Sequence, residues 1–199
     1  PGKKSKKILD KLKKVNGGWG EVPGILPFVH SGKGHDCYFR DIDGNSFLDF
    51  ASQIGSNPLG YNHKRLIKVI KKYKKSPIKY AGQDFVVEEH IQLIEQLTSI
   101  TPPGLNSAFI INSGAEAVEN AMKLASFHTK RTKFLAFKQG FHGRTNGSLA
   151  VTDYPKMKSP FNQETNASFI ALNDFDALTD HLSTKEYAAV IIEGIQGVG

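Results

Sequence analysis

Residues 109–116 read Phe-Ile-Ile-Asn-Ser-Gly-Ala-Glu, an apolar run that passes into a helical pattern within two residues. The apolar part predicts a strand over Ser107–Asn112, and the residues after it predict a helix from Gly114 to about Thr129. A strand followed at once by a helix is typical of α/β proteins. This stretch therefore indicates an α/β domain.

The turn between the predicted strand and helix is a candidate phosphate site. Ser113 is placed to cap the helix, and Glu116 three residues later completes the pattern of a capping box. Free amides and the positive end of the helix dipole favour an anion here, and Gly114 lets an anion approach the backbone closely. A well-capped helix without a ligand has the same pattern, so the spacing alone leaves both interpretations open.

The alternation of strands and helices continues after this turn. Strands are predicted over Lys133–Phe137, Ser168–Leu172 and Ala188–Glu193, and a helix is predicted over Asp174–Leu182. Strands that alternate with helices indicate a mostly parallel sheet with helices on its faces. We expect this α/β domain to occupy residues 76–199.

The first 75 residues predict a small α+β segment instead. Asp43-Gly44-Asn45 is a strong hairpin signal, because the two central positions of such a turn tolerate positive φ. A basic helix is predicted over residues 3–15, ended by glycines at 17, 18 and 20. Strands over His35–Arg40 and Ser46–Phe50 and a loop over Ser52–Asn62 follow. Two further helices are predicted over residues 64–75, where Pro77 ends the helix, and over residues 86–99.

The charge of the chain suggests a second class of function. The formal net charge is +7, and much of the excess lies in the first 14 residues and in residues 64–75. Such clusters can attract nucleic acid or anionic lipid. No nucleic-acid motif accompanies them, so we interpret them as solvated helix faces and expect no nucleic-acid partner. A basic interaction protein stays the alternative.

Two further features bear on the compartment. The single cysteine, Cys37, excludes an internal disulfide framework and fits a cytoplasmic protein. No apolar run approaches the roughly 18 residues that a membrane-spanning helix needs, so we expect no membrane partner.

Five segments, in order and at suitable spacings, resemble motifs of the class III aminotransferases, which use pyridoxal 5'-phosphate (PLP). The resemblance covers nearly all of the chain beyond its lysine-rich start. It implies a PLP-dependent transferase of fold type I, with a small N-terminal segment before the first part of the large domain. The five segments are Gly34–Phe50, Leu59–His63, residues 112–120 (Asn-Ser-Gly-Ala-Glu-Ala-Val-Glu-Asn), Phe141–Thr145 and Glu193–Gly197.

The resemblance implies roles for individual residues. Ser113, Gly114 and Ala115 match the turn that binds the cofactor phosphate. Phe141 matches the aromatic residue that stacks on the pyridine ring, although core packing is the usual role of a phenylalanine. His142, in the same motif, is expected at the cofactor site, with shaping of the loop as the alternative, and Glu193 matches a glutamate near the cofactor.

Two residues are matched to the substrate. Arg144 matches the arginine that binds a substrate carboxylate, for which a planar guanidinium is suited; a surface ion pair is the alternative. Ile54 stands where ornithine-type members have tyrosine and 4-aminobutyrate-type members have isoleucine. No metal ligands are expected.

The chain departs from the family pattern in two places and lacks two residues that the reaction needs. Gly194 replaces a proline, and Val198 stands where many members carry a second glutamate, which puts the gating by that glutamate in doubt. The lysine that forms the Schiff base and the aspartate at the pyridine nitrogen are expected beyond Gly199. We therefore expect the 199 residues alone to be inactive.

The resulting hypothesis is transamination of an ω-amino acid with 2-oxoglutarate as acceptor, in a protein that is a homodimer when whole. Ile54 and the Ser52–Leu59 stretch favour 4-aminobutyrate as donor. Residues 134–152 and 193–199 look more like acetylornithine aminotransferases, and ornithine- and lysine-type members stay possible. A non-catalytic phosphate-binding module is disfavoured, because no Gly-x-Gly-x-x-Gly or P-loop spacing occurs.

Overall fold

The computed structural model describes residues 2–15, 28–74, 85–162 and 166–198. The chain forms two compact units, Pro1–Val87 and Glu88–Gly199. The predicted boundary at residues 75 and 76 lies outside the described residues, as do the glycines at 17, 18 and 20 and Pro77. No helix among the described residues has the length and apolar character to span a membrane.

The first unit contains a three-stranded antiparallel sheet in the order β1-β2-β3. The predicted helices over 3–15 and 64–75 are confirmed, the second with its end at Tyr73. The elements are α1 (Lys3–Val15), β1 (His30–His35), β2 (Tyr38–Asp41), β3 (Ser46–Leu48), α2 (Ser52–Gly55) and α3 (Lys64–Tyr73).

One predicted strand in this unit is wrong. His35–Arg40 is interrupted, because Asp36 has φ of 49° and forms a two-residue turn with Cys37. A positive φ is incompatible with a continuing strand. His35 therefore pairs with Tyr38 across the turn, and β1 extends backward through the glycine-containing residues that gave no strand signal.

The Asp-Gly hairpin between β2 and β3 is confirmed. Asp41 is buried, and its Oδ1 accepts hydrogen bonds from the amides of Asp43 at 3.0 Å and Asn45 at 2.8 Å. Gly44 has φ of 96°, which favours glycine. Asp43 in turn accepts hydrogen bonds from the amides of Lys4 and Ser5, both at 2.9 Å, and so caps α1.

The predicted loop Ser52–Asn62 is irregular except at α2, which is not a right-handed helix. Gln53 and Ile54 have φ of 51° and 59° with ψ of 49° and 45°, which are left-handed values. The turn is fixed by Asp49, which accepts hydrogen bonds from the amides of Ala51 and Ser52 at 2.9 and 2.8 Å.

The second unit contains a parallel sheet in the order β5-β4-β6, as the alternating pattern predicts. The predicted helices here are confirmed within two residues. The elements are α4 (Glu88–Ser99), α5 (Gly114–Thr129), β4 (Lys133–Phe137), α6 (Asn146–Ala150), 3-10 helices at Pro155–Met157 and Pro160–Asn162, β5 (Ala167–Ile170), α7 (Phe175–Ser183) and β6 (Tyr187–Val190).

The central strand β4 divides the core into two clusters. Phe134, Ala136 and Val151 are buried on the side where Val118 and Met122 of α5 pack. On the opposite side, Leu135, Phe137 and Ile170 pack with Ala177 and Leu178 of α7. Both faces of β4 are thus covered by helices, and its C-terminal end leads directly into residues 138–145.

The predicted strand Ser107–Asn112 is wrong in this structure. Residues 105–111 have no regular secondary structure, and Phe109 is exposed. A strand requires a neighbour for its ladder of hydrogen bonds, and none of the described strands pairs with this segment. The predicted strands Ser168–Leu172 and Ala188–Glu193 exist, but the second stops three residues early.

Candidate active site

The turn before α5 is a capped helix N-terminus with amides left free. Ser113 Oγ accepts a hydrogen bond from the Glu116 amide at 3.2 Å, so Ser113 is the N-cap as predicted. The capping box differs from the prediction, because Glu116 Oε2 accepts from the amide of Asn112, at 2.8 Å, and not from that of Ser113. Among the described residues, no acceptor bonds the amides of Gly114 and Ala115.

A cleft of about 610 Å³ opens beside this turn, and we call it the α5 cleft. Gly114 faces open space, since a Cβ there would meet nothing within 4 Å. The sequence predictions Gly114, Ala115, Phe141, His142 and Arg144 are brought together here. The cleft is lined by Gly114, Ala115, Val118, Phe141, His142, Gly143, Arg144 and Thr145.

Gly143 brings residues 141–145, which we call the Arg144 loop, close to α5. Its φ is 138°, and a Cβ at this position would meet Ser148 Oγ and, at 2.8 Å, the Cβ of Ala115. Only glycine therefore fits both the conformation and the close approach. The Arg144 loop and the helix N-terminus form one wall of the cleft for this reason.

Glu193 supports the Arg144 loop from behind and does not line the cleft. Its Oε1 accepts a hydrogen bond from the Phe141 amide at 2.8 Å, and its Oε2 accepts from the Gly197 amide at 3.0 Å. Burial raises the pKa of Glu193, but the hydrogen bonds from the two amides and the interaction with His142 outweigh burial, and the net effect is a lowered pKa. The carboxylate therefore stays ionised near neutral pH.

His142 lines the cleft, and its imidazole has a shifted pKa. Burial lowers the pKa of its imidazole, and the nearby charge of Glu193 works against that shift. Its amide donates to Thr152 Oγ1 at 2.9 Å, whereas Nε2 is buried without a hydrogen-bond partner. A buried nitrogen without a partner is a place where a ligand atom can bind.

Arg144 lies at the cleft with an exposed side chain, and no carboxylate among the described residues pairs with it. Ser113 caps the same turn without lining the cleft. Ile54 belongs to the first unit, where it is 97% exposed on the left-handed turn. The structure thus groups five of the predicted residues around one cleft.

Sequence reasoning missed three residues that hold this site. Thr152 is fully buried, and its hydroxyl donates to the carbonyls of Gly143 and Ser148 at 3.2 and 2.9 Å. Thr145 lines the cleft, and Glu119 accepts a hydrogen bond from the Gly147 amide at 2.8 Å. Position in the Phe141–Thr145 motif could have indicated Thr145, but nothing local marks the other two.

The fold and the cleft define an α/β protein in which the N-terminus of a helix lies beside an aromatic and a cationic side chain. Comparison with protein families matches residues 22–199 to the family described as aminotransferase class-III. The chain therefore belongs to the class III aminotransferases, a family that uses PLP.

Individual relatives agree with this assignment. An acetylornithine aminotransferase of Methanosarcina mazei is 37% identical over 178 residues, which are 88% of this chain and 44% of the relative. A probable 4-aminobutyrate aminotransferase of Bacillus subtilis is 38% identical over 125 residues, 62% of this chain and 29% of that protein. This chain spans less than half the length of these relatives.

Solved structures support the fold. A transaminase from the marine bacterium Virgibacillus superposes with a TM-score of 0.82 at 22% identity, covering 96% of this chain and 48% of that one. The fold is thus that of the fold-type I PLP-dependent transferases, of which the second unit contains part of the parallel sheet.

Proposed function

We propose that this chain supplies the cofactor-phosphate and substrate-carboxylate sites of an aminotransferase that acts on an ω-amino acid, with 2-oxoglutarate as acceptor. The observation that carries the proposal is the α5 cleft, where helix amides, an aromatic ring and a guanidinium lie together, the amides without an acceptor and the guanidinium without a carboxylate partner among the described residues. Family membership supports the reaction class.

The residues present fit PLP. The unbonded amides of Gly114 and Ala115 lie at the positive end of a 16-residue helix, which suits a phosphate dianion. Phe141 offers a flat apolar surface to the pyridine ring, and the unpartnered Nε2 of His142 offers a polar contact. When bound, PLP supplies the electron sink that transamination requires.

The side chains around the cofactor have separate tasks in this proposal. Arg144 binds the substrate carboxylate and thereby orients the amino group. Glu193 keeps Phe141 in place by accepting the hydrogen bond from the Phe141 amide at 2.8 Å. His142, whose pKa is lowered by burial, shapes the cleft beside Arg144.

No lysine lines the α5 cleft among the residues that the structure describes. The proposal therefore requires a lysine from elsewhere in the whole protein to hold the cofactor carbonyl and move the substrate proton.

We further propose that the whole protein is a cytoplasmic homodimer. Light scattering checks the oligomeric state, and a monomer that remains active would contradict it.

The donor is proposed to be 4-aminobutyrate or a close ω-amino acid. Ile54 and the Ser52–Leu59 stretch support this choice through their resemblance to 4-aminobutyrate-type members, whose donor has no α-carboxylate to bind. The relatives named for acetylornithine and 4-aminobutyrate keep both as candidates.

A turnover assay tests the proposal. The whole protein with PLP and 2-oxoglutarate is given 4-aminobutyrate, N-acetylornithine, ornithine or lysine, and glutamate formation is followed. Turnover of at least one donor, with Ile54→Tyr shifting preference toward ornithine, is expected. Binding of PLP with no turnover of any donor would favour the non-catalytic phosphate-binding module instead.

A further inference from the structure

Glu119 on α5 joins the Arg144 loop to that helix. Its carboxylate accepts hydrogen bonds from the Gly147 amide at 2.8 Å and from the Ser148 amide at 3.4 Å. The interaction with the Thr145 side chain, together with the hydrogen bonds from the two amides, outweighs burial and lowers the pKa of Glu119. Thr145, Gly147 and Ser148 all lie within four residues after Arg144.

The bonds to Glu119 add to the capping box that Thr145 and Ser148 form at the start of α6. This helix has five residues, and its first amides need acceptors from outside the helix. Thr145 and Ser148 bond each other, with the Thr145 amide donating to Ser148 Oγ at 3.1 Å. Gly147 makes room for the carboxylate, since a Cβ there would lie 3.0 to 3.2 Å from its atoms.

Glu119 lies five residues after Gly114, or about 7.5 Å along the helix axis. One rigid helix therefore presents the free amides at its start and holds the segment after Arg144 slightly further on. We propose that Glu119 is a positioning residue for Arg144, which sets the guanidinium at a fixed place relative to the anion site of Gly114 and Ala115. This inference rests on the proposed function, in which Arg144 binds a substrate carboxylate.

The kinetic test compares Glu119→Ala and Glu119→Gln with wild type in the whole protein. Glu119→Ala should raise KM for 2-oxoglutarate by roughly tenfold to a hundredfold, because a displaced binding group loses its alignment. The dissociation constant of PLP and the kcat/KM for an amine that lacks a carboxylate should change by less than about twofold. Glu119→Gln should recover part of the loss, since its amide oxygen can still accept the Gly147 N–H. Glu95→Ala, which removes an exposed carboxylate of α4, is the matched control.

Hydrogen exchange gives a readout that does not depend on catalysis. Glu119→Ala should speed exchange at residues 144–148 while protection in the rest of α5 stays as in wild type. An unchanged KM for 2-oxoglutarate, or a loss for the amine without a carboxylate equal to that for 2-oxoglutarate, would overturn the positioning role. If wild type neither binds PLP nor transaminates, the proposed function fails, whatever the result for Glu119. Unchanged exchange at residues 144–148 in Glu119→Ala would overturn the role of the Glu119 hydrogen bonds in holding that segment.

Discussion

Arg144 is the residue on which substrate recognition depends in the proposed function. Arg144→Ala should lower kcat/KM for carboxylate-bearing substrates roughly thirtyfold, or about 2 kcal/mol, because a charge-assisted bidentate pair is lost. Arg144→Lys should recover little, since an ammonium lacks the planar fork. The measurement is a kinetic comparison on 4-aminobutyrate and on an amine of similar length that lacks a carboxylate.

The controls separate recognition from folding. Arg65→Ala removes an exposed arginine of α3 and should leave both rates unchanged. Equal losses on the donor with a carboxylate and the donor without one in Arg144→Ala would mean that this arginine supports the fold or the cofactor site, and does not bind the carboxylate.

The two carboxylates that support the Arg144 loop predict a pH dependence of stability. Glu119 and Glu193 both have folded pKa values below their ordinary value of 4.5. A lowered folded pKa contributes stability that is present above the unfolded value and is lost as the pH falls through the folded value. The Tm of wild type should therefore fall as the pH drops below about 4.5.

Glutamine substitutions test that assignment. Glu193→Gln and Glu119→Gln cannot titrate at these positions, so each should lower Tm at pH 7 and flatten its decline below the ordinary carboxyl pKa. Calorimetric scans between neutral and acidic pH give the two curves. Parallel curves for wild type and both variants would show that these carboxylates are not coupled to folding.

At the scale of elements, the approach of the Arg144 loop to α5 depends on Gly143. Gly143→Ala should destabilise the protein by about 1–3 kcal/mol, because it combines a strained positive φ with a clash against Ala115 and Ser148. It should also weaken PLP binding, since the loop is displaced from the helix N-terminus. Denaturant unfolding and cofactor titration measure the two effects.

Gly194→Ala, outside the Arg144 loop, is the matched control for Gly143→Ala. A Cβ at Gly194 would meet nothing within 4 Å, so the alanine should cost little. If Gly143→Ala were as stable as Gly194→Ala and bound PLP equally well, the close approach would not be needed.

The elements that could be predicted from sequence are those that local interactions determine. The Asp43-Gly44-Asn45 turn and the Ser113 cap involve residues within a few positions of one another, and both are present. The strand predicted over Ser107–Asn112 failed because strand formation depends on a distant partner. Glu119 could not be predicted, because its acceptor contacts are made 28 residues away.

The candidate site followed the same division. The motifs led to Gly114, Ala115, Phe141, His142 and Arg144, which share one cleft. The motif match gave no indication that Glu193 bonds the Phe141 amide from behind the cleft, because the two lie 52 residues apart. Helix α6 was missed because five residues are too few to show a helical period.

At the scale of the whole molecule, the second unit carries an exposed apolar groove. Phe109, Leu124 and Phe127 are 67%, 70% and 73% exposed and line a groove of about 520 Å³. Apolar surface of this kind binds hydrophobic dyes. The isolated chain should therefore enhance the fluorescence of anilinonaphthalene sulfonate, and Leu124→Ser with Phe127→Ser should remove most of that signal.

Ile100→Ser is the control for the groove, because Ile100 is 78% exposed but does not line it. This variant should keep the dye signal of wild type. A signal that survives in the double variant would place the dye elsewhere on the chain.

The central claim is that the N-terminus of α5 holds the phosphate of PLP. A crystal structure of the whole protein grown with PLP tests it most directly. We predict a phosphate oxygen at about 3 Å from the amide nitrogens of Gly114 and Ala115, with the pyridine ring stacked on Phe141. A phosphate bound elsewhere, or a cofactor that leaves the α5 cleft filled only by solvent, would contradict the claim.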